Sequence, residues 1–203
     1  MSAVLAPVRV KRLGRVPYLQ TMESMRDFTA RRTQATPDEL WLLEHEPVYT
    51  LGQGATAPAP ANGIALLRSD RGGEITYHGP GQVVLYALVD LARRGIMVKR
   101  FVWLLEQCVI DVVGEGAERR PGAPGIYVSG AKIAALGIRV ARGRAYHGLA
   151  VNVDMDLSPF AAIDPCGYPG LAVAQLKDLG IKSSAEQVGT DLSAALIKRL
   201  EHA

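Results

Sequence analysis

Apolar and polar positions alternate through Val8-Arg9-Val10-Lys11-Arg12-Leu13, the period of a strand with one face turned to a core. From Tyr18 to Thr33 the spacing becomes helical, with Leu19, Met22, Met25 and Phe28 toward one side, until Thr36-Pro37-Asp38 interrupts it. Leu40 to Leu51 reads as one or two strands broken at Pro47 and ending in Gly52-Gln53-Gly54. Ala55 to Ala61 is a surface loop, Ile64 to Arg68 a strand, Ser69 to Gln82 a polar loop, and Val83 to Leu91 a buried strand. Val98 to Val113 carries the stripe Phe101, Leu104, Leu105, Cys108, Val109 and Val112, which predicts an amphipathic helix lying on a sheet. Strand signals follow at Ile126 to Val128, Lys132 to Val140 and Tyr146 to Val153, the last two forming an antiparallel hairpin across Ala141-Arg142-Gly143-Arg144. Ser183-Ser184 then offers a helix N-cap, and Leu192, Ala195, Leu196 and Leu200 extend that helix to the end. This mixed order predicts an α+β fold: a mixed, largely antiparallel sheet with helices packed on one side. There is no internal repeat, and residues 1–203 are expected to form one domain.

Composition narrows the class without naming a chemistry. With 203 residues, 48% hydrophobic and 21% charged, the chain can bury one substantial core. Its 23 basic and 20 acidic residues leave a charge of only +3, too slight to indicate nucleic acid, though an acidic protein partner would suit it. Two cysteines cannot make a secreted disulfide framework, and Met1 to Pro7 has too short an apolar part for a signal peptide. No stretch approaches the ~18 apolar residues of a membrane span. The expectation is a cytoplasmic protein in a reducing setting, where a working thiol stays reduced.

That expectation matters because Cys166 sits in Ile163-Asp164-Pro165-Cys166-Gly167-Tyr168-Pro169-Gly170, a turn-forming run in which packing does not call for a thiol. It is a candidate nucleophile. Lys132 follows the glycine turn Ser129-Gly130 directly; a lysine head reaching Cys166 would favour the thiolate and could carry a proton. The same spacing also fits a surface lysine at a strand start. Arg71-Gly72-Gly73-Glu74-Ile75-Thr76-Tyr77-His78-Gly79-Pro80-Gly81-Gln82 is rich in glycine and polar groups, with Arg71, Tyr77, His78 and Gln82 as convergent candidates, yet it matches no common phosphate cradle. His147, beside Gly148, either lines a site or bonds a neighbouring carbonyl. His45 and His202 have no such setting, the histidines and cysteines show no metal-ligand spacing, and Cys108 reads as a core residue.

Taken together, Arg71 through Gln82, Gly130-Ala131-Lys132-Ile133, His147-Gly148-Leu149-Ala150-Val151-Asn152 and Asp156-Leu157-Ser158-Pro159-Phe160 leading to Asp164-Pro165-Cys166-Gly167 resemble the octanoyl-(acyl-carrier-protein):protein octanoyltransferases of the biotin/lipoyl protein ligase superfamily. The resemblance implies a fold like that of biotin ligases and class II synthetases. It implies that Cys166 accepts an octanoyl (or lipoyl) group from acyl carrier protein as a thioester, with Lys132 as acid/base partner. The group would then pass to a lysine of lipoyl domains, those of 2-oxoacid dehydrogenase E2 subunits and of the glycine cleavage H protein. By position, Arg71, Gly72, Gly73, Glu74, Ile75, Thr76, Tyr77 and His78, with Ala135, Leu136 and Gly137 and with Gly148, Leu149 and Ala150, match segments that line the acyl site; Gln82 and His147 are further candidates for its lining. Thioester exchange and conversion to an amide require no ATP and no other cofactor or metal. Arg71-Gly72-Gly73-Glu74 departs from the G-R-G-R-like loop of biotin ligases, which argues against adenylate chemistry. An ATP-dependent lipoate-protein ligase and a non-catalytic module that binds acylated carrier proteins remain the alternatives.

Overall fold

The computed structural model describes residues 7–164 and 170–203; Met1 to Ala6, most of the segment weighed above as a signal peptide, lies outside the described residues. Among the described residues ten strands form two sheets. β1 (Arg9–Val16), β2 (Glu39–His45), β6 (Gln82–Asp90), β10 (Arg144–Asn152), β9 (Ala131–Ala141), β8 (Ala123–Val128) and β7 (Ala117–Arg120) lie side by side in that order. A smaller sheet has β3 (Val48–Leu51) between β4 (Leu66–Arg68) and β5 (Ile75–His78). Among these named strands β1 with β2 and β3 with β4 run parallel and the other pairs antiparallel; outside them Lys132 also makes a parallel bridge to Val173. The helices are α1 (Tyr18–Arg31), the single turn α2 (Leu91–Arg94), α3 (Val98–Val113) and α4 (Ala185–Glu201).

The period of two along each strand divides the large sheet into two faces. Leu40, Leu42, Leu85, Val89, Ile126, Ile133 and Val151 point one way and pack against Phe101, Leu104, Leu105 and Cys108 of α3 and Leu192 and Leu196 of α4. The intervening residues Trp41, Leu43, Val84, Tyr86, Leu88, Tyr146 and Ala150 point the other way, where Met25 of α1 meets them. Helices therefore cover both faces, correcting the one-sided arrangement expected from sequence: α1 carries its own apolar stripe and takes the second face. α4 begins where its cap predicts, the Ser184 hydroxyl accepting from the Gln187 N–H at 3.1 Å.

Two further departures bear on function. The stretch Ser69 to Gln82, expected to be a loop, contains β5, which pairs antiparallel with β3. β9 is held between two tight hairpins whose central residues all have positive φ: Ser129 and Gly130 at 48° and 86°, Arg142 and Gly143 at 52° and 76°. This is the turn whose twist matches paired strands. It fixes the register that sets Ala135 opposite Ala150 and Gly137 opposite Gly148. At the far end of β2 the Asp38 carboxylate, fully buried, is paired with Arg32, Arg93 and Arg94, fastening the end of α1 and α2 to the sheet. Among the described residues no helix is long and apolar enough to cross a membrane.

Candidate active site

On the face opposite α3 and α4 lies a narrow cavity of about 60 Å³. Its floor is paved by the registered small residues Ala135, Gly137, Gly148 and Ala150, with Val84, Leu136 and Leu149 beside them. Small side chains here keep the trough open; a larger residue at any of them would fill it. The loop before β5 forms the roof. The Gly72 N–H donates to the Ile138 carbonyl at 3.0 Å, and a Cβ on Gly137 would sit 2.8 Å from the Gly72 oxygen, so the roof can rest on β9 only where β9 has no side chain.

Arg71 holds that roof together. Its Nε donates to Thr50 Oγ1 at 3.2 Å, Nη2 to the Thr50 and Glu74 carbonyls at 2.6 and 2.9 Å, and Nη1 to the Gly72 carbonyl at 2.9 Å. Gly73, Glu74, Ile75, Thr76 and His78 continue the lining. Tyr77 alternates away from the cavity to pack against Tyr49 and Phe160, Gly72 is pressed onto β9, and Gln82 lies behind His78; these three do not line the cavity.

The trough has two different polar ends, about 20 Å apart along β9 at ~3.3 Å per residue. Lys132 occupies one. It is buried at 4% exposure, its Nζ donates to the Pro124 carbonyl at 2.8 Å, and it lies 5.4 Å from the centroid of the Tyr127 ring. A carbonyl and an aromatic face both suit an ammonium head. Gly125 makes room for it: at φ 132°, a Cβ there would come within 2.6 Å of Lys132 Cε. The main chain of Lys132 is laddered to residues 172–174, which follow Cys166 in sequence, donating to the Ala172 carbonyl at 2.8 Å and accepting from the Ala174 N–H at 3.0 Å.

His147 occupies the other end. Its φ of 61° is left-handed, a conformation costing on the order of 1–3 kcal/mol away from glycine. The result is that its ring stacks on that of its neighbour Tyr146, with centroids 5.1 Å apart, and lines the cavity. Nε2 donates to Asp70 at 2.7 Å; that carboxylate also accepts from Tyr146 Oη at 2.6 Å and Arg26 Nε at 2.8 Å. Burial pushes the Asp70 carboxyl up, but these donors outweigh it and hold the group well below the usual carboxylate range. His147 thus lines the cavity, one of the two roles suggested by sequence, and its partner is a carboxylate where the other role expected a carbonyl. Beside it, burial and the nearby His147 bring His45 down to about 4, and burial and His45 bring His78 down to about 3, so both rings are neutral near pH 7.

Cys166, the sequence-derived nucleophile, lies outside the described residues. Cys108 is a different kind of thiol: buried among the apolar residues of α3 and α4, it is pushed up to about 12 by that burial. Among the described residues no group of three or more histidine, cysteine, aspartate or glutamate side chains could hold a metal ion. Tyr18, Val84, Tyr86, Asn152, Phe160 and Val173 also line the cavity, and sequence reasoning assigned none of them to it. Asp70 was equally overlooked, although it directly precedes Arg71.

Residues 17–197 match the family model described as the lipoyl protein ligase A/B catalytic domain. The octanoyltransferase of Dechloromonas aromatica is 56% identical over 200 residues, covering 96% of this chain and 98% of that protein. That of Thiobacillus denitrificans is 58% identical over 192 residues, covering 92% and 88%. Among solved structures, a lipoate-protein ligase A bound with ATP superimposes with a TM-score of 0.72 at 17% identity, covering 97% of this chain and 86% of that one. The biotin protein ligase of Aquifex aeolicus gives 0.56 at 9%, covering 98% and 71%. At such identities the structural likeness speaks for the fold alone, and there it agrees with the α+β core expected from sequence. With the family model spanning most of its length and relatives above 50% identity along nearly all of it, the chain belongs to the lipoyl protein ligase A/B catalytic domain family, on the side of the octanoyltransferases.

Proposed function

We propose that this chain, acting as one catalytic unit, is an octanoyltransferase that moves an octanoyl or lipoyl group from acyl carrier protein to a lysine of lipoyl domains. The observation that carries the reading is the cavity itself: a narrow trough paved with Ala135, Gly137, Gly148 and Ala150, with a buried lysine at one end. An eight-carbon chain extends about 10 Å at C–C bonds of about 1.5 Å, within the length of the trough. Each methylene withdrawn from water there contributes ~0.8 kcal/mol.

The chemistry follows from two residue types. Cys166 thiolate attacks the donor thioester carbonyl, an acyl–sulfur bond forms, and the carrier's sulfur leaves, taking its proton from the Lys132 ammonium. The amine of the acceptor lysine then attacks the acyl-cysteine. An amide forms, Cys166 departs as thiolate, and neutral Lys132 accepts the proton released by nitrogen. Thioester is exchanged for thioester and then for amide, so no nucleotide enters the balance. The ladder between Lys132 and residues 172–174, six residues past Cys166, supports their pairing. E2 subunits of 2-oxoacid dehydrogenases and the glycine cleavage H protein are the acceptors this reading expects, in a cytoplasm that keeps Cys166 reduced.

The likeness to a ligase bound with ATP favours a second reading, in which free acid is activated as an adenylate. Supplying a lipoyl domain with either octanoyl carrier protein or radiolabelled octanoate plus ATP separates the two. Label transfer from free octanoate, retained by Cys166→Ala, would overturn the transferase.

A further inference from the structure

Behind the cavity a set of buried side chains is hydrogen-bonded in a single file. Arg71, which only donates, gives Thr50 Oγ1 two hydrogen bonds, at 3.2 and 2.8 Å. The hydroxyl proton of Thr50 is therefore available to His78 Nε2, 3.4 Å away. His78 Nδ1 lies 2.7 Å from Gln82 Oε1. Gln82 Nε2 donates to the Tyr77 carbonyl at 3.2 Å and to Asn152 Oδ1 at 2.9 Å, and Asn152 Nδ2 donates to the Ala174 carbonyl at 2.9 Å.

Only one proton arrangement satisfies this file. The carbonyls of Tyr77 and Ala174 can only accept, which fixes the orientation of both amides. Gln82 Oε1 then faces His78, so the single proton of the neutral imidazole is on Nδ1 and its lone pair faces Thr50. Every link points the same way, from the arginine that braces the cavity roof to the chain segment laddered onto Lys132. All five side chains are buried, so a lost partner is costly to replace.

We propose that Thr50, His78, Gln82 and Asn152 form a one-directional positioning relay, anchored by Arg71, that holds residues 172–174 and hence Lys132 in place. It rests on the reading of Lys132 as the proton partner of Cys166. His78 is then a positioning residue: both its ring nitrogens are engaged within the file, and its edge merely faces the cavity. The relay also explains why residues so far apart in sequence carry polar groups on what would otherwise be apolar strand faces.

Asn152→Asp tests it with minimal change of shape. The aspartate still accepts from Gln82, but it cannot donate to Ala174 and sets a carboxylate against that carbonyl. Steady-state kinetics with octanoyl carrier protein and a lipoyl domain should show kcat lowered about 10-fold or more, since misplacement by about 1 Å can cost up to ~10²-fold. Asn152 also lines the cavity, so the KM readout belongs to Thr50, which does not: Thr50→Val should lower kcat likewise while KM for the carrier stays within about twofold. Thr50→Ser, which keeps the hydroxyl, should recover most of the kcat; this pair decides the matter if Asn152→Asp does not fold. Wild-type kcat in both Asn152→Asp and Thr50→Val, or equal losses in Thr50→Val and Thr50→Ser, would overturn the relay. A wild-type protein that transfers no octanoyl group would instead overturn the functional reading beneath it.

Discussion

The two faces of the large sheet are made by the same strands yet differ in kind. On the α3 and α4 side, Leu85, Ile133 and Val151 meet Leu104, Leu105, Leu192 and Leu196 in a dry, apolar core. One residue along each strand, Tyr86, Lys132 and Ala150 turn toward the cavity with His78, His147 and Asn152 around them. Both faces bury apolar residues, but the polar groups of the cavity gather on one of them. Cys108, on the first of these faces, is raised to about 12 by burial in that core, while Cys166 lies outside the described residues.

The sharpest way to break this contrast is to change one residue on each face. Lys132→Ala should lower kcat by ~10²-fold or more with little change in melting temperature. Leu105→Ala should cost about 2–5 kcal/mol of stability, read by denaturant unfolding, while the folded fraction keeps its kcat. A stability loss in the first with an activity loss per folded molecule in the second would erase the distinction. Gly125→Ala crowds the surroundings of Lys132: the added Cβ would meet the Ala134 carbonyl oxygen at 2.5 Å and Lys132 Cε at 2.6 Å, so stability should fall and kcat should drop by roughly 10-fold although no functional group is removed. Ala150→Leu should depress transfer of octanoyl more than of butanoyl groups, as judged by kcat/KM, because it shortens the trough rather than disturbing its reactive end.

A further expected effect is in pH. His45 and His78 have folded-state values depressed from 6.5 to about 4 and about 3. Below pH 6.5 the unfolded chain gains protons that the folded chain refuses, so stability falls as the solution is acidified from about 6.5 toward 4. Each histidine contributes a slope of at most ~1.4 kcal/mol per pH unit in that window. His78→Gln should flatten the decline by about one proton, measured by urea unfolding across the range; an unchanged slope would mean that His78 is not held neutral by its site.

Much of this division was legible in the sequence, and the exceptions have physical causes. The stripes of α1, α3 and α4 were visible because a helix must carry its apolar residues at 3.6-residue spacing. Which face of a sheet each helix covers is not encoded in that spacing, so α1 was misplaced. β5 escaped notice because only Ile75 and Tyr77 of its four residues are apolar, and the segment sits among glycines. Glycine density and the turn before Lys132 pointed to the roof and one end of the trough. Tyr18, Asp70 and Asn152 did not stand out because their importance comes from pairing across the fold: Asp70 is joined to Tyr146 and His147 from the far end of the chain.

The central claim is covalent, and intact-protein mass spectrometry tests it most directly. Wild type mixed with octanoyl carrier protein and no acceptor should gain the mass of one octanoyl group, mapped to Cys166 and discharged when a lipoyl domain is added, whereas Cys166→Ala should gain nothing. An unmodified wild type that nevertheless octanoylates the lipoyl domain, or an adduct that persists in Cys166→Ala, would contradict the account.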